Sequence, residues 1–358
     1  DQIETHQDLV RIIRLFLQSL SPTERFLLLL DEVTYVTGWD RAVKALADEG
    51  FFRRGFCLIT GSDSLILKEA MSRFPGRRGE ADKTDFRLRP LDFREYVELV
   101  SPVNIETGPE ESGGLFPLFE NYLQCGGHLR AINDLHQKGI VSPATFQTFA
   151  QWIQGDFEKR GKSTRHLMGV LKMILETTPS QVTYSSLVQR MGEVSKPTFM
   201  DYCELLERID LIFSLEAFDQ NRRLGFPKKA RKFHFWDPFL LETVKRWLEK
   251  DGFLSPRLDW ASVKAEAVTA AHFRKNFQTF YVKGNGEIDL VIVSGNKNAY
   301  LEVKWAQQIR SLDLAELKKH KPAFILTKQI GKGSVDGIDV YPLPYFLLHD
   351  AALLMKGF

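Results

Sequence analysis

Residues 286–305 read GEIDLVIVSGNKNAYLEVKW, and this stretch decides how the C-terminal third of the chain folds. Apolar and polar residues alternate on both sides of Gly295, the two-residue period of half-buried strands. Glu302 and Lys304 stand two positions apart and therefore face the same side, and the turn at 294–298 brings Asp289 beside them. Two carboxylates bind one or two divalent cations by oxygen ligation, and a neighbouring lysine positions an attacking hydroxide and a phosphate. The pattern predicts Asp289 and Glu302 as metal ligands and Lys304 as their catalytic partner, for phosphodiester hydrolysis with Mg²⁺ or Mn²⁺. The same alternation also fits a surface hairpin on which Glu302 and Lys304 only pair with each other.

Outward from the hairpin, strands are predicted at 277–283 (FQTFYVK), 322–328 (PAFILTK) and 339–343 (DVYPL), with a helix at 262–275. The last hundred residues therefore read as mixed α/β. Upstream, the segments TYSSLVQRM, KPTFMDYCELLERI and LIFSLEAF follow in the order of a winged helix-turn-helix. The second of these helices carries Asp201, Glu204 and Glu207 against Lys196 and Arg208, a poor surface for phosphates. Where the wing falls, Arg222, Arg223, Lys228, Lys229, Arg231 and Lys232 place six cations with no acid between 221 and 232. Six phosphate contacts would give DNA binding a log–log salt slope of about −5. A solvated loop, or one packed on an acidic neighbour, fits the strip equally. Residues 115–176 have helical spacing almost throughout, after a linker at 101–114 rich in Pro, Gly and acids.

Near the start, residues 26–32 read FLLLLDE. The apolar run predicts a strand buried on both faces, with Asp31 and Glu32 at its C-terminal edge, where α/β sheets bind ligands. In P-loop NTPases an acid at the first position holds Mg²⁺ and one at the second activates water. A strand that simply meets solvent is the plainer account. A second buried strand at 55–60 and a helix at 64–74 extend the pattern to a parallel sheet. Thr60 and Ser62 fall at the neighbouring edge, placed to sense a γ-phosphate, and Arg77 and Arg78 lie in a turn from which guanidinium groups would neutralise phosphoryl charge.

The 358 residues allow two to three domains, each with its own core. Lys and Arg exceed Asp and Glu by 48 to 46, so any nucleic-acid contact must come from a local patch. Cys57, Cys125 and Cys203 are widely spaced and odd in number, which argues against a disulfide framework and for a cytoplasmic setting. No run is long and apolar enough to span a bilayer, and no membrane partner is expected.

The motifs in sequence order resemble a family. LLLLDEVTYV (27–36), LITGSDS (58–64), PGRR (75–78), FRLRPLDFREYVEL (86–99), QCGGHLRAIN (124–133), GDFEKRGKS (155–163), FHFWDPFL (233–240), EIDLV and LEVKW are similar to archaeal-type, STAND-related AAA+ ATPases. The resemblance implies a multidomain α/β chain: an AAA+ P-loop ATPase core at 1–100, a helical lid at 101–165, a winged helix at 166–250 and a PD-(D/E)XK nuclease-like domain at 251–358. It implies ATP and Mg²⁺ as cofactors, Glu266 as an additional acid of the nuclease-like site, and Arg130, after the Gly-Gly turn of the lid, as a nucleotide sensor. DNA and a second copy of the chain are the further partners expected. Family members carry a G-x-x-x-x-G-K-[ST] loop before the acid pair to cradle phosphates. None precedes Asp31, and the glycines of 155–163 are six apart rather than five, so the loop is expected upstream of residue 1. The function expected is an ATPase coupling nucleotide state to a DNA-binding, metal-dependent nuclease domain. The alternatives are an ATP-gated interaction protein with a degenerate nuclease fold, and an ATPase with no nucleic-acid role.

Overall fold

A computed structural model describes residues 3–21, 23–61, 67, 74–77, 79, 84–101, 108–252, 254, 259–284, 286–305, 309 and 314–357. The chain forms two compact units, residues 1–88 and 89–358. The lengths of chain expected as lid, winged helix and C-terminal domain thus pack within one unit.

In the smaller unit, α1 (His6–Ser19) is started by a capping box in which Thr5 and Asp8 satisfy each other's backbone N–H. Strand β1 (Phe26–Leu30), helix α2 (Trp39–Asp48) and strand β2 (Gly55–Ile59) follow. The strands are parallel and in register from Phe26–Gly55 to Leu30–Ile59. Leu9, Ile13 and Leu17 of α1 and Ala42, Val43 and Leu46 of α2 recur at helical spacing and close the core over Phe26 and Val33. Burial on both faces, expected from the apolar runs, is not observed. Leu27 and Leu29 are each 60% exposed, and Phe56 and Leu58 are 81% and 51% exposed. Helices α1 and α2 cover one face of the strand pair, and the apolar runs reported hydrophobicity without reporting what covers the other.

The larger unit begins with helices α3 (Phe93–Val100), α4 (Leu115–Cys125), α5 (Leu129–Lys138) and α6 (Pro143–Glu158). Gly155 lies within α6, consistent with rejecting 155–163 as a phosphate loop. Helices α7 (Thr164–Thr177), α8 (Tyr184–Met191) and α9 (Lys196–Arg208) come next. The short strands β3 (Ile212–Glu216), β4 (Phe218–Asp219), β5 (Leu224–Gly225) and β6 (Arg231–Phe235) make two nested antiparallel pairs, β3 with β6 and β4 with β5.

After α10 (Pro238–Lys250) and α11 (Trp260–Arg274), strands β7 (Gln278–Lys283), β8 (Glu287–Ser294), β9 (Lys297–Lys304), β10 (Ala323–Thr327), β11 (Gly333–Val335) and β12 (Ile338–Pro342) lead to α12 (Leu343–Gly357). They form one mixed sheet in the order β11-β12-β10-β9-β8-β7, with β9, β10 and β12 parallel. The short strand β11 had no signal in the sequence pattern. Phe218 of β4 enters the core of this sheet beside Val282 and Ile288, and Ala217 bridges to Tyr281. The β3–β6 hairpin is thereby fixed against the sheet rather than held out as an independent arm.

One joint shows how tightly the unit closes. Asp237 caps α10 through the N–H groups of Phe239 (2.8 Å) and Leu240 (3.3 Å), and also accepts from Gly127 N–H at 2.7 Å. Gly126 has φ +57, and a Cβ there would lie 2.0 Å from Asp237 Oδ1. A Cβ on Gly127 would lie 1.9 Å from the Leu91 carbonyl oxygen. The Gly-Gly pair is required by close approach of three segments. Among the described residues no helix is long and apolar enough to cross a membrane.

Candidate functional site

Two of the expected sites can be built from side chains, one in each unit. In the smaller unit, Asp31 and Glu32 leave β1 at its C-terminal edge, and Thr60 follows β2 at the same edge. The Thr60 hydroxyl donates to Asp31 Oδ1, and Glu32 N–H donates to Thr60 Oγ1 at 3.1 Å. Backbone bonds Thr60 N–H to Leu30 O (2.9 Å) and Val33 N–H to Thr60 O (3.1 Å) lock the two strand ends together. Glu32 adopts φ +50, which turns the chain sharply out of the strand. Asp31 is exposed and offers hard oxygen donors, so it and Thr60 suit a Mg²⁺-bound nucleotide.

Arg77 is committed to Asp48, to which it is paired through both Nε and Nη2, the latter at 3.2 Å. The bidentate contact lowers the Asp48 carboxyl below its ordinary range, first through the hydrogen bond itself. Ser62 and Arg78 lie outside the described residues. Arg130 sits exposed in the first turn of α5 in the larger unit.

The second site lies where β6, α11, β8 and β9 meet. The β8–β9 register, continued one place past Leu290–Leu301, sets Asp289 opposite Glu302. Each carboxylate caps the other strand's backbone: Val303 N–H donates to Asp289 Oδ2 at 2.9 Å, and Asp289 N–H to Glu302 Oε2 at 3.3 Å. Lys304 pairs with Glu302 at 2.9 Å, as their spacing requires. Glu266 enters from α11, so all four residues expected here do converge.

The residue that sequence reasoning assigned elsewhere is Lys232. Expected on the DNA-binding strip, it is 1% exposed, and its ammonium lies 2.9 Å from Glu266 Oε1 and 3.1 Å from Asp289 Oδ1 and pairs with Glu287. It is withdrawn from any surface. Glu287 and His234 were not anticipated either, although strand alternation carried the signal: Glu287 is two before Asp289 on β8, and His234 two after Lys232 on β6. Gln181 donates to Glu287 from the adjoining loop.

The electrostatics follow from burial. Desolvation, then the Asp289 charge, pushes Glu266 up to about 8 against the pull of Lys232. The same two causes raise Glu302 to about 8, with Lys304 opposing. Burial alone would discharge Lys232, but Glu266, Asp289 and Glu287 hold it charged, with a pKa well above the ordinary lysine value. His234 is pushed well below its usual range by burial and by Lys232 and Arg274, so it is a neutral imidazole.

A divalent metal does not fit this arrangement. An ammonium already faces Glu266 and Asp289, and among the described residues no group of three or more His, Cys, Asp or Glu side chains is set to hold a metal ion. Mn²⁺ finds no support at this site.

The basic strip shrinks from six residues to three. Arg223 donates to the Gly295 and Lys297 carbonyls and to Asn298 Oδ1 (2.7 Å), binding the hairpin to the β8–β9 turn. Arg231 stacks 4.2 Å over Tyr184 and donates to its hydroxyl. Arg222, Lys228 and Lys229 are exposed.

A family described as "AAA domain" matches residues 1–97, and a family described as a domain of unknown function (DUF8612) matches residues 117–251. An uncharacterised protein of Methanocaldococcus jannaschii is 23% identical over 300 residues, 76% of this chain and 59% of its own length. An uncharacterised protein of Haemophilus influenzae is 23% identical over 92% of this chain and 79% of its own. The chain thus spans about three fifths of the archaeal relative it matches. Among solved structures, the Aeropyrum pernix ORC1 protein in complex with DNA is 15% identical over 69% of this chain and 68% of that one, at a TM-score of 0.33, too loose a likeness to carry an argument. The N-terminal part of the chain, with its acid pair at the edge of a parallel strand pair, is similar to AAA domains.

Proposed function

We propose that the chain is an AAA+-type ATPase that couples its nucleotide state to DNA held on a winged-helix hairpin, with a PD-(D/E)XK-like C-terminal domain that binds rather than cleaves. The observation that carries the nucleotide part is the Thr60–Asp31–Glu32 hydrogen-bond chain at the edge of β1 and β2. Asp31 would hold Mg²⁺, which supplies charge neutralisation for the phosphates when bound. Thr60 fixes the Asp31 carboxylate and the Glu32 backbone together, so a change at one edge residue is felt by the other two. Glu32 is the base placed to orient water.

For DNA, Arg222, Lys228 and Lys229 supply phosphate contacts on a hairpin whose geometry Arg223 and Arg231 stiffen. The Lys232 ammonium inside the acid cluster favours the degenerate-nuclease reading over cleavage. The test uses the full-length protein with labelled linear and branched DNA, with ATP, ADP or neither, and with or without Mn²⁺. DNA affinity is expected to differ between ATP and ADP with no strand cut. Equal affinity in every nucleotide state refutes the coupling. Cutting that disappears in Asp289→Ala with Glu302→Ala would establish an endonuclease instead.

A further inference from the structure

We infer that Lys232 is the built-in cation of the acid cluster and that it excludes a divalent metal from Asp289, Glu266 and Glu302 for as long as β6 holds its place. The inference rests on the acid cluster alone and stands or falls separately from the nucleotide reading.

A lysine ammonium has three N–H donors. Here it meets three carboxylates, Glu266 from α11 and Glu287 and Asp289 from β8, so its donors are fully taken up. It is not a mobile surface lysine that happens to reach inward. Leu215–Lys232 is a pair within the β3–β6 ladder, which runs from Ile212–Phe235 to Glu216–Arg231, and the neighbouring Ala217–Tyr281 bridge joins that hairpin to the sheet. The Tyr281 hydroxyl donates to the Ala230 carbonyl at 2.6 Å, which fixes the backbone two residues before Lys232. Strand pairing thus fixes the backbone that carries Lys232, and the three carboxylates hold its ammonium.

His234 supplies an independent observation. It is fully buried on the same face of β6, neither ring nitrogen has a hydrogen-bond partner, and Nε2 lies 3.9 Å from Glu266 Oε1. A buried polar group without a partner is costly. Its place beside the carboxylates marks a site with more ligating capacity than the folded chain uses. Oxygen donors of this kind would take Mg²⁺ or Mn²⁺ if the ammonium were absent. With it present, an incoming dication meets a positive charge about 3 Å from the oxygens it needs, with little solvent to screen the repulsion.

The experiment measures Mn²⁺ uptake by the intact chain from the electron paramagnetic resonance of the free ion, together with thermal melting. Wild type and Asp289→Asn are expected to take up equal amounts. Lys232→Met is expected to gain a further ion, bound at least about tenfold more tightly than any wild-type site and seen as a rise in melting temperature on adding Mn²⁺. Adding Asp289→Asn to Lys232→Met is expected to remove that gain. Wild-type uptake that falls in Asp289→Asn overturns the inference, as does a folded Lys232→Met that gains nothing. If Lys232→Met does not fold, the comparison of wild type with Asp289→Asn still decides: dependence on Asp289 overturns the inference, and equality sustains it.

Discussion

The Lys232 ammonium lies 3.1 Å from Asp289 Oδ1, although 57 positions separate the two residues in the chain. That contact joins the hairpin of residues 212–235 to the β8–β9 pair and draws one cation of a surface-looking run into a buried charge network. It also links two features that the sequence offered as separate, a DNA-binding strip and a metal site.

Removing the cation alone leaves buried carboxylates uncompensated. Lys232→Met is expected to destabilise the larger unit by about 3 kcal/mol, the size of a broken buried ion pair. Asp289→Asn in the same chain should return part of that loss, because it removes one of the stranded charges. Denaturant titration of the two single variants and the double variant measures it. A full additive loss in the double variant would mean that the two side chains do not interact.

Glu266 and Glu302 carry pKa values raised from 4.5 to about 8 in the folded chain. Their native forms hold protons that the unfolded chain releases above about pH 4.5, so their contribution to stability is full below that point and is lost as pH rises through 8. Melting temperature should fall between pH 5 and pH 8 on account of this site. Glu302→Gln, which mimics the protonated acid, should flatten the profile. An unchanged slope in that variant would assign the pH dependence elsewhere.

Gly127→Ala should be among the most damaging small substitutions in the chain. Its methyl would fall 1.9 Å from the Leu91 carbonyl oxygen, a backbone atom that cannot rotate away. A loss of more than about 3 kcal/mol is expected, against about 1–2 kcal/mol for losing the Asp237 cap in Asp237→Ala. Thermal melting of both variants ranks them.

In the full-length protein, Glu32→Gln should lower ATP turnover by about a hundredfold or more while leaving ATP bound. Thr60→Ala should lower it less, since it removes a positioning hydrogen bond and leaves Asp31 in place. Single-turnover hydrolysis beside nucleotide-binding titrations separates the two. Turnover unchanged in Glu32→Gln would remove the water-activating role.

With three exposed cations on the hairpin, the log–log salt slope of DNA binding should be about −3 rather than about −5. Each of Arg222→Ala, Lys228→Ala and Lys229→Ala should reduce it by about one. Fluorescence anisotropy across a salt series reads the slope. A slope unmoved by all three would place the DNA surface elsewhere or remove it.

Much of the secondary structure was legible because strand and helix periods are local. The alternation at 286–305 gave β8 and β9, the facing of Glu302 and Lys304, and the meeting with Asp289 across a short turn. Thr60 beside Asp31 followed in the same way from two parallel strands ending at one edge. The apolar run at 26–30 misled, because hydrophobicity states what a strand prefers and not what is present to cover it: Leu27 and Leu29 remain exposed. The pairing of Arg77 with Asp48, a partner 29 residues away, had no local signal.

The sequence by itself determined which residues are charged, which strands they lie on and which face of each strand they share. Once β6 and β8 form, two-residue alternation puts Lys232 and His234 on one face of β6, and Glu287 and Asp289 on one face of β8. Only the tertiary structure decided that those two faces meet, with Glu266 between them. Whether a lysine is a phosphate contact or a site's own counter-ion depends on its desolvation and on the carboxylates within about 3 Å, and both are set by packing between elements distant in the chain.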